Sequence, residues 1–148
     1  MYETIQVLHS YWAYLVLLVL IIAVINAIVK SVGKKEYGPK DFRISLFTLI
    51  VSHIQLLIGL ILYFVSPRLA AFGELGMGGV MKDAINRLYL VEHPLVNIIV
   101  VALITIGYSK HKKKLTSAPK LKTIAIFYTI ALVLLLSRIP WSAWLGSN

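Results

Sequence analysis

Residues 4–29 read TIQVLHSYWAYLVLLVLIIAVINAIV, with no acidic or basic side chain apart from His9. A run this long and apolar exceeds the roughly 20 residues a helix needs to cross the hydrocarbon of a bilayer. In lipid the backbone must satisfy its own hydrogen bonds, and a helix does so within one segment. Barrel strands would alternate in polarity and be about half as long. Three further stretches have the same character. One runs from Ile44 to Pro67. Another runs from His93 to Ser109 and extends back through Leu88-Tyr89-Leu90-Val91, interrupted only by Glu92. The last runs from Thr123 to Ser137 and continues past Arg138 through Ile139-Pro140-Trp141. The reading is all-α: a four-helix transmembrane up-down bundle forming one integral membrane domain over residues 1–148. Its spans are expected at about 5–29, 43–66, 86–108 and 121–141. The first span has no basic leader and no cleavage pattern before it and is longer than the apolar core of a secretion signal, so it reads as a retained helix.

Composition agrees. The chain is 59% hydrophobic and only 14% charged, with a mean hydropathy of +0.83. A soluble domain carries about 25% charged residues, so a soluble enzyme, a nucleic-acid-binding module and a disordered chain are all poor fits. With no cysteine, disulfides, thiolate metal sites, iron–sulfur clusters and covalent c-type haem attachment are excluded.

The net charge of +9 is distributed as a topology signal. The linker after the first span holds Lys30, Lys34, Lys35, Lys40 and Arg43 against Glu36 and Asp41. The linker after the third holds Lys110, Lys112, Lys113, Lys114, Lys120 and Lys122 with no acid. The middle linker is balanced. Positive charge stays on the cytoplasmic side, which puts both termini on the periplasmic face of a bacterial inner membrane. The lysines would also favour anionic lipid headgroups; nucleic acid is not expected as a partner. The middle linker reads as the longest loop, loosened by Gly73, Gly76, Gly78 and Gly79, and its Gly-Met-Gly-Gly lacks the Lys-Ser/Thr of a phosphate-binding loop. Tyr11, Trp12, Tyr14, Tyr63, Phe64, Tyr89, Trp141 and Trp144 fall near the outer ends, as an interfacial aromatic belt does.

Ionisable groups within a span are costly and mark function by default. His111 sits in the lysine cluster and reads as a solvated bystander. His9, His53 and His93 lie in three different spans, and no paired carboxylates, His-Glu-x-x-His or Ser-His-Asp set accompanies them; no catalytic residue is expected. At about 1.5 Å per residue, His9 and His93 both fall roughly 6–10 Å below the outer boundary. In an up-down bundle the first and third helices are diagonal, so these two imidazoles should face each other across the core. A bis-histidine haem b suits such a pair, with His9 and His93 as the axial ligands of the iron. His53 falls near mid-membrane, too deep for the same plane, and reads as a wall or quinone-site residue with Leu49, Leu56, Leu57 and Leu60 on its face. Tyr89, His93 and Asn97 are spaced by four and share a helix face, so Tyr89 or Asn97 would bond a ligand or a quinone. Arg87 and Arg138 lie toward the outer side and suit haem propionates. Against these stand plainer roles: a lone intramembrane histidine is most often an interhelical hydrogen bond, Arg138 would snorkel or pair with Glu92, and Asn26 and Gln55 serve equally well as helix glue.

The stretches Leu8-His9-Ser10, SHIQLLIGLILYFVSP over residues 52–67, Val91-Glu92-His93-Pro94-Leu95, LITIGYS over residues 103–109 and Ile139-Pro140-Trp141 together carry a resemblance. The chain resembles the small four-helix inner-membrane proteins of Bacteroidota described as cytochrome b-like, over nearly its whole length. The resemblance implies functional importance for His9, His53 and His93 and leaves open which pair holds iron. The expected function is that of a haem b-binding membrane cytochrome in electron transfer, with quinone as a second candidate ligand. It would be an electron-transfer protein or an oxidoreductase subunit rather than a stand-alone enzyme. The alternatives are a structural or assembly subunit of a membrane complex whose histidines glue helices, and a histidine-based transition-metal site.

Overall fold

The computed structural model describes residues 1–144, and those residues form helices and turns with no strand. Four helices are long and apolar enough to cross a membrane: Tyr2–Val32, Pro39–Val65, Ala84–Lys113 and Ser117–Ser137. They make this a multi-pass membrane protein by length and composition. Their outward faces remain apolar, with Leu18, Ile25, Val29, Ile61 and Val133 each more than half exposed. A soluble monomer rarely leaves so much contiguous apolar surface uncovered, and such a surface suits contact with lipid tails.

The first helix, α1 (Tyr2–Val32), ends at Gly33, and the chain reverses through Lys34, which adopts φ 52°. Pro39 opens α2 (Pro39–Val65) at a position where a missing N–H costs nothing. Asp41 binds this corner together. Its carboxylate accepts from Gly38 N–H at 2.8 Å, from Asn26 Nδ2 at 2.7 Å and from Lys30 Nζ. A carboxylate only 3% exposed survives burial because it is paired with a cation and hydrogen-bonded. Along the inner face of α2, Ser45, Thr48 and Ser52 each donate back to the carbonyl four residues earlier. This polar stripe satisfies itself and requires no ligand. Pro67 disfavours helix at Ser66 and ends α2.

The expected middle loop is a helix. After one 3₁₀ turn, α3 covers Ala70–Lys82, interrupted at Gly76, whose φ of 69° and ψ of 171° break it into two pieces. Its four glycines argue against helix by propensity, but Ala71 and Val80 pack under Leu90 as a second small core, and this tertiary burial overrides them. Next, α4 (Ala84–Arg87), a π turn (Leu88–Glu92) and α5 (His93–Lys113) form one continuous rod. The π turn has a local cause. Pro94 has no N–H, so the Leu90 carbonyl lacks its usual donor; Tyr63 Oη reaches from α2 to supply it at 2.9 Å. The fourth long helix, α6 (Ser117–Ser137), ends short of the expected boundary near residue 141. Ile139 precedes Pro140 and cannot easily remain helical, so Trp141–Trp144 forms a separate short α7.

α1 packs on α2 and α6, and α5 also packs on α2 and α6, which leaves α1 and α5 at opposite corners. Leu20, Ile104, Tyr128 and Ala131 are wholly buried at the centre. Tyr128 Oη crosses the bundle to donate to Ser45 O at 2.9 Å. Gly107 allows α5 to press against α6: a Cβ placed there would lie 2.4 Å from Phe127 Cβ. Close backbone approach through small residues is how helices associate where lipid removes the hydrophobic drive.

Candidate functional site

A cavity of about 220 Å³ opens between the early turns of α1, the later half of α2, the π turn with the start of α5, and the region around Pro140. Its wall is mostly apolar, with Ala13, Val16, Leu56, Leu60 and Val100 among the contributors. The polar groups that converge on it come from three long helices and the short turn that follows α2.

His9 and His93 are the central pair. Their ring centroids lie 6.2 Å apart with the planes at 90°. The placement of each has a local reason. His9 lies against Gly59 of α2, where a Cβ would come within 3.2 Å of His9 Cε1. Glycine at 59 therefore makes room for the imidazole. His93 Nδ1 lies 2.8 Å from the carbonyl of Arg138. A carbonyl only accepts, so Nδ1 carries the proton and Nε2 keeps a free lone pair. Asn97 Nδ2 donates to His93 O at 2.6 Å and stiffens this turn.

Two buried polar atoms beside the cavity have no hydrogen-bond partner: His9 Nδ1 and Gln55 Oε1. The residues that bear them already touch, since Gln55 Nε2 donates to His9 O at 2.9 Å. Unsatisfied buried groups are rare and call for an explanation.

Tyr89 and Asn97 line the cavity with His93. Arg87 and Arg138 do not line it. Arg87 Nε lies 3.3 Å from Glu92 and its Nη1 donates to Met81 O; Arg138 Nε lies 3.9 Å from the same carboxylate. The guanidinium that does reach the cavity is Arg68, stacked 3.9 Å over the Tyr89 ring. No carboxylate pairs with it among the described residues. The sequence signal for Arg68 was its place directly after Pro67, at the edge of the apolar stretch. His53 also lies away from the cavity. It is exposed on the flank of α2, with Nδ1 2.8 Å from its own Leu49 carbonyl and Nε2 3.4 Å from Thr105 Oγ1. Leu57, expected to share a cofactor wall with it, is 62% exposed.

His111 is not a solvated bystander. It is fully buried at the other end of the bundle, where Nδ1 bonds Tyr108 O and Nε2 lies 2.8 Å from Tyr37 Oη. The Tyr108 carbonyl fixes the proton on Nδ1, so Tyr37 donates to Nε2. Tyr37 keeps that proton well into alkali: burial, with Asp41 and Tyr108 nearby, pushes its pKa up to about 12. Among the described residues no group of three or more histidine or carboxylate side chains gathers as a metal site.

Comparison with family models, with curated proteins and with solved structures finds no match to this chain.

Proposed function

We propose that the chain is a haem b-binding membrane cytochrome passing electrons in a bacterial inner membrane, arranged as an up-down bundle with both termini on the outer side. The cross-helix pairings support the up-down arrangement: His9 with Gln55, Trp12 with Val51 and Asn26 with Asp41 in α1 and α2, then Tyr63 with Leu90 and His53 with Thr105 in α2 and the third long helix. The excess of lysine in the two other loops supports the orientation.

The observation that carries the proposal is the His9–His93 pair at 6.2 Å. These two imidazoles, from helices at opposite corners of the bundle and lining one cavity, are the residues that would hold the iron. The donor set fits as well. His93 has its non-ligating nitrogen held by the Arg138 carbonyl, the usual device for fixing a ligating tautomer. His9 Nδ1 needs an acceptor once Nε2 ligates, and Gln55 Oε1 is an unpartnered acceptor on a residue already bonded to His9. Gln55 is thus the positioning residue for His9. Arg68 would meet a propionate, since it is the guanidinium on the cavity. When bound, haem b supplies one-electron chemistry; the protein sets its potential through ligands, hydrogen bonds and a dry wall.

A reduced-minus-oxidised absorption spectrum of the purified chain tests this. A Soret band with sharp α and β bands is expected, and absence of Soret absorbance after haem supplementation overturns it. A second reading, helix glue in a structural subunit, is favoured by the bonds of His93 and Gln55 to backbone carbonyls on neighbouring segments.

A further inference from the structure

The two basic linkers lie far apart in sequence and meet at one end of the bundle. Tyr37 N–H donates to Ser117 Oγ at 2.9 Å, and Tyr37 Oη donates to His111 Nε2 at 2.8 Å. Between them lies an open cleft of about 440 Å³ lined by Tyr37, Gly38, Pro39, Phe42, Lys112 and Lys120. No lining residue is acidic. Of the two acids in this linker, Asp41 is 3% exposed and already bound to Lys30, Asn26 and Gly38, while Glu36 is exposed next to Tyr37 and does not line the cleft.

The two ammonium groups are held rather than free. Lys120 Nζ sits 5.2 Å over the Tyr37 ring and donates to His111 O at 3.3 Å; Lys112 Nζ sits 5.2 Å over the Tyr108 ring. Cation–π contacts of this kind restrict long side chains. The floor beneath them is rigid because His111 is fully buried and bonded at both ring nitrogens. Each ammonium is a compact point charge with three donors, and two of them suit the charged oxygens of a phosphate group. The cleft opens on the elements that lead into α2 and α5, helices of membrane length that expose apolar side chains such as Phe47, Ile50 and Ile106, so a ligand carrying acyl chains suits it better than a free anion.

We propose that this cleft is a binding site for the phosphate of an anionic phospholipid, held between Lys112 and Lys120 with Tyr37 and Phe42 as its walls. The site is independent of the haem reading, since it lies at the opposite end of the bundle from His9 and His93.

The experiment uses the full chain in detergent, titrated with phosphatidylglycerol or phosphatidylcholine, with retained lipid counted by native mass spectrometry. Phosphatidylglycerol should be retained and phosphatidylcholine lost. Lys112→Gln with Lys120→Gln should weaken phosphatidylglycerol retention roughly tenfold or more, given about 1 kcal/mol per basic residue at a membrane surface. The charge-matched control, Lys113→Gln with Lys122→Gln, should change it far less. Equal losses in the two double variants would mean diffuse attraction and overturn the site. Lys112→Arg with Lys120→Arg keeps the charge and should retain the lipid; loss there together with an unchanged melting temperature would also overturn it. Inorganic phosphate is the competing arm: if it displaces the lipid at millimolar concentration from the native chain, the cleft is a free-phosphate site and the lipid assignment fails.

Discussion

The imidazoles of His9 and His93, on helices that occupy opposite corners of the bundle, stand 6.2 Å apart at right angles across one cavity. Each is held differently, His93 by the Arg138 carbonyl and His9 by the space that Gly59 leaves. Their roles therefore separate by mutation.

Replacing His9 or His93 by alanine removes one of the two proposed iron ligands. Either variant is expected to give a high-spin or haem-depleted protein. His53→Ala should leave the low-spin spectrum intact, because His53 is exposed on the flank of α2 and satisfied by Leu49. Equal haem loss from His53→Ala and His93→Ala would show that the wrong pair has been assigned.

In the proposed site Gln55 would act through His9. Gln55→Leu keeps much of the volume but deletes both the bond to His9 O and the free acceptor. Haem affinity should fall roughly 10–100-fold, the usual effect of losing an outer-shell partner. Gln55→Glu restores an acceptor with negative charge and should recover binding with a lower midpoint potential, measured by redox titration. A midpoint unchanged from the native value in Gln55→Glu would refute the positioning role.

Arg68 is the cation on the cavity, while Arg87 and Arg138 are tied to Glu92. A nearby positive charge favours the reduced, less positive iron–porphyrin unit. Arg68→Gln should therefore lower the midpoint potential, and Arg87→Gln should shift it less. The reverse order would point to the Glu92 cluster as the propionate partner.

Gly107→Ala tests the crossing of α5 and α6. The new methyl would meet Phe127 Cβ at 2.4 Å, and overpacking of this kind costs about 1–3 kcal/mol. A lower melting temperature is expected. Phe127→Ala should not rescue it, because the obstructing atom is the Cβ that alanine retains.

Tyr37 gives a pH dependence of known sign. Its folded pKa of about 12 lies above the ordinary value of 10.0, so the folded state holds a proton that the unfolded chain has already released between those values. The stability contributed by this group is complete below pH 10 and declines as pH rises toward 12. Thermal melts of the native chain should fall more steeply over that interval than those of Tyr37→Phe, and parallel curves would remove Tyr37 as the source.

The sequence alone determined the four membrane-length helices, because runs such as residues 44–67 leave the backbone no other way to satisfy itself in lipid. It also placed His9 and His93 at matching distances from the helix ends, since helical rise converts residue number directly into depth. It did not determine which way each helix faces. A helix that is apolar all round carries little polarity contrast to fix its rotation, so His53 was free to face a flank while Gln55, two residues later, turned toward His9. That rotation was decided only by packing, through contacts such as Gly107 against Phe127 and Trp12 against Val51 O. Long-range contact likewise buried His111 under Tyr37, folded the glycine-rich stretch onto Leu90, and gave the cavity Arg68 in place of Arg87 and Arg138. In each case the partner lies on another element, and its identity is a property of the assembled bundle rather than of any local stretch.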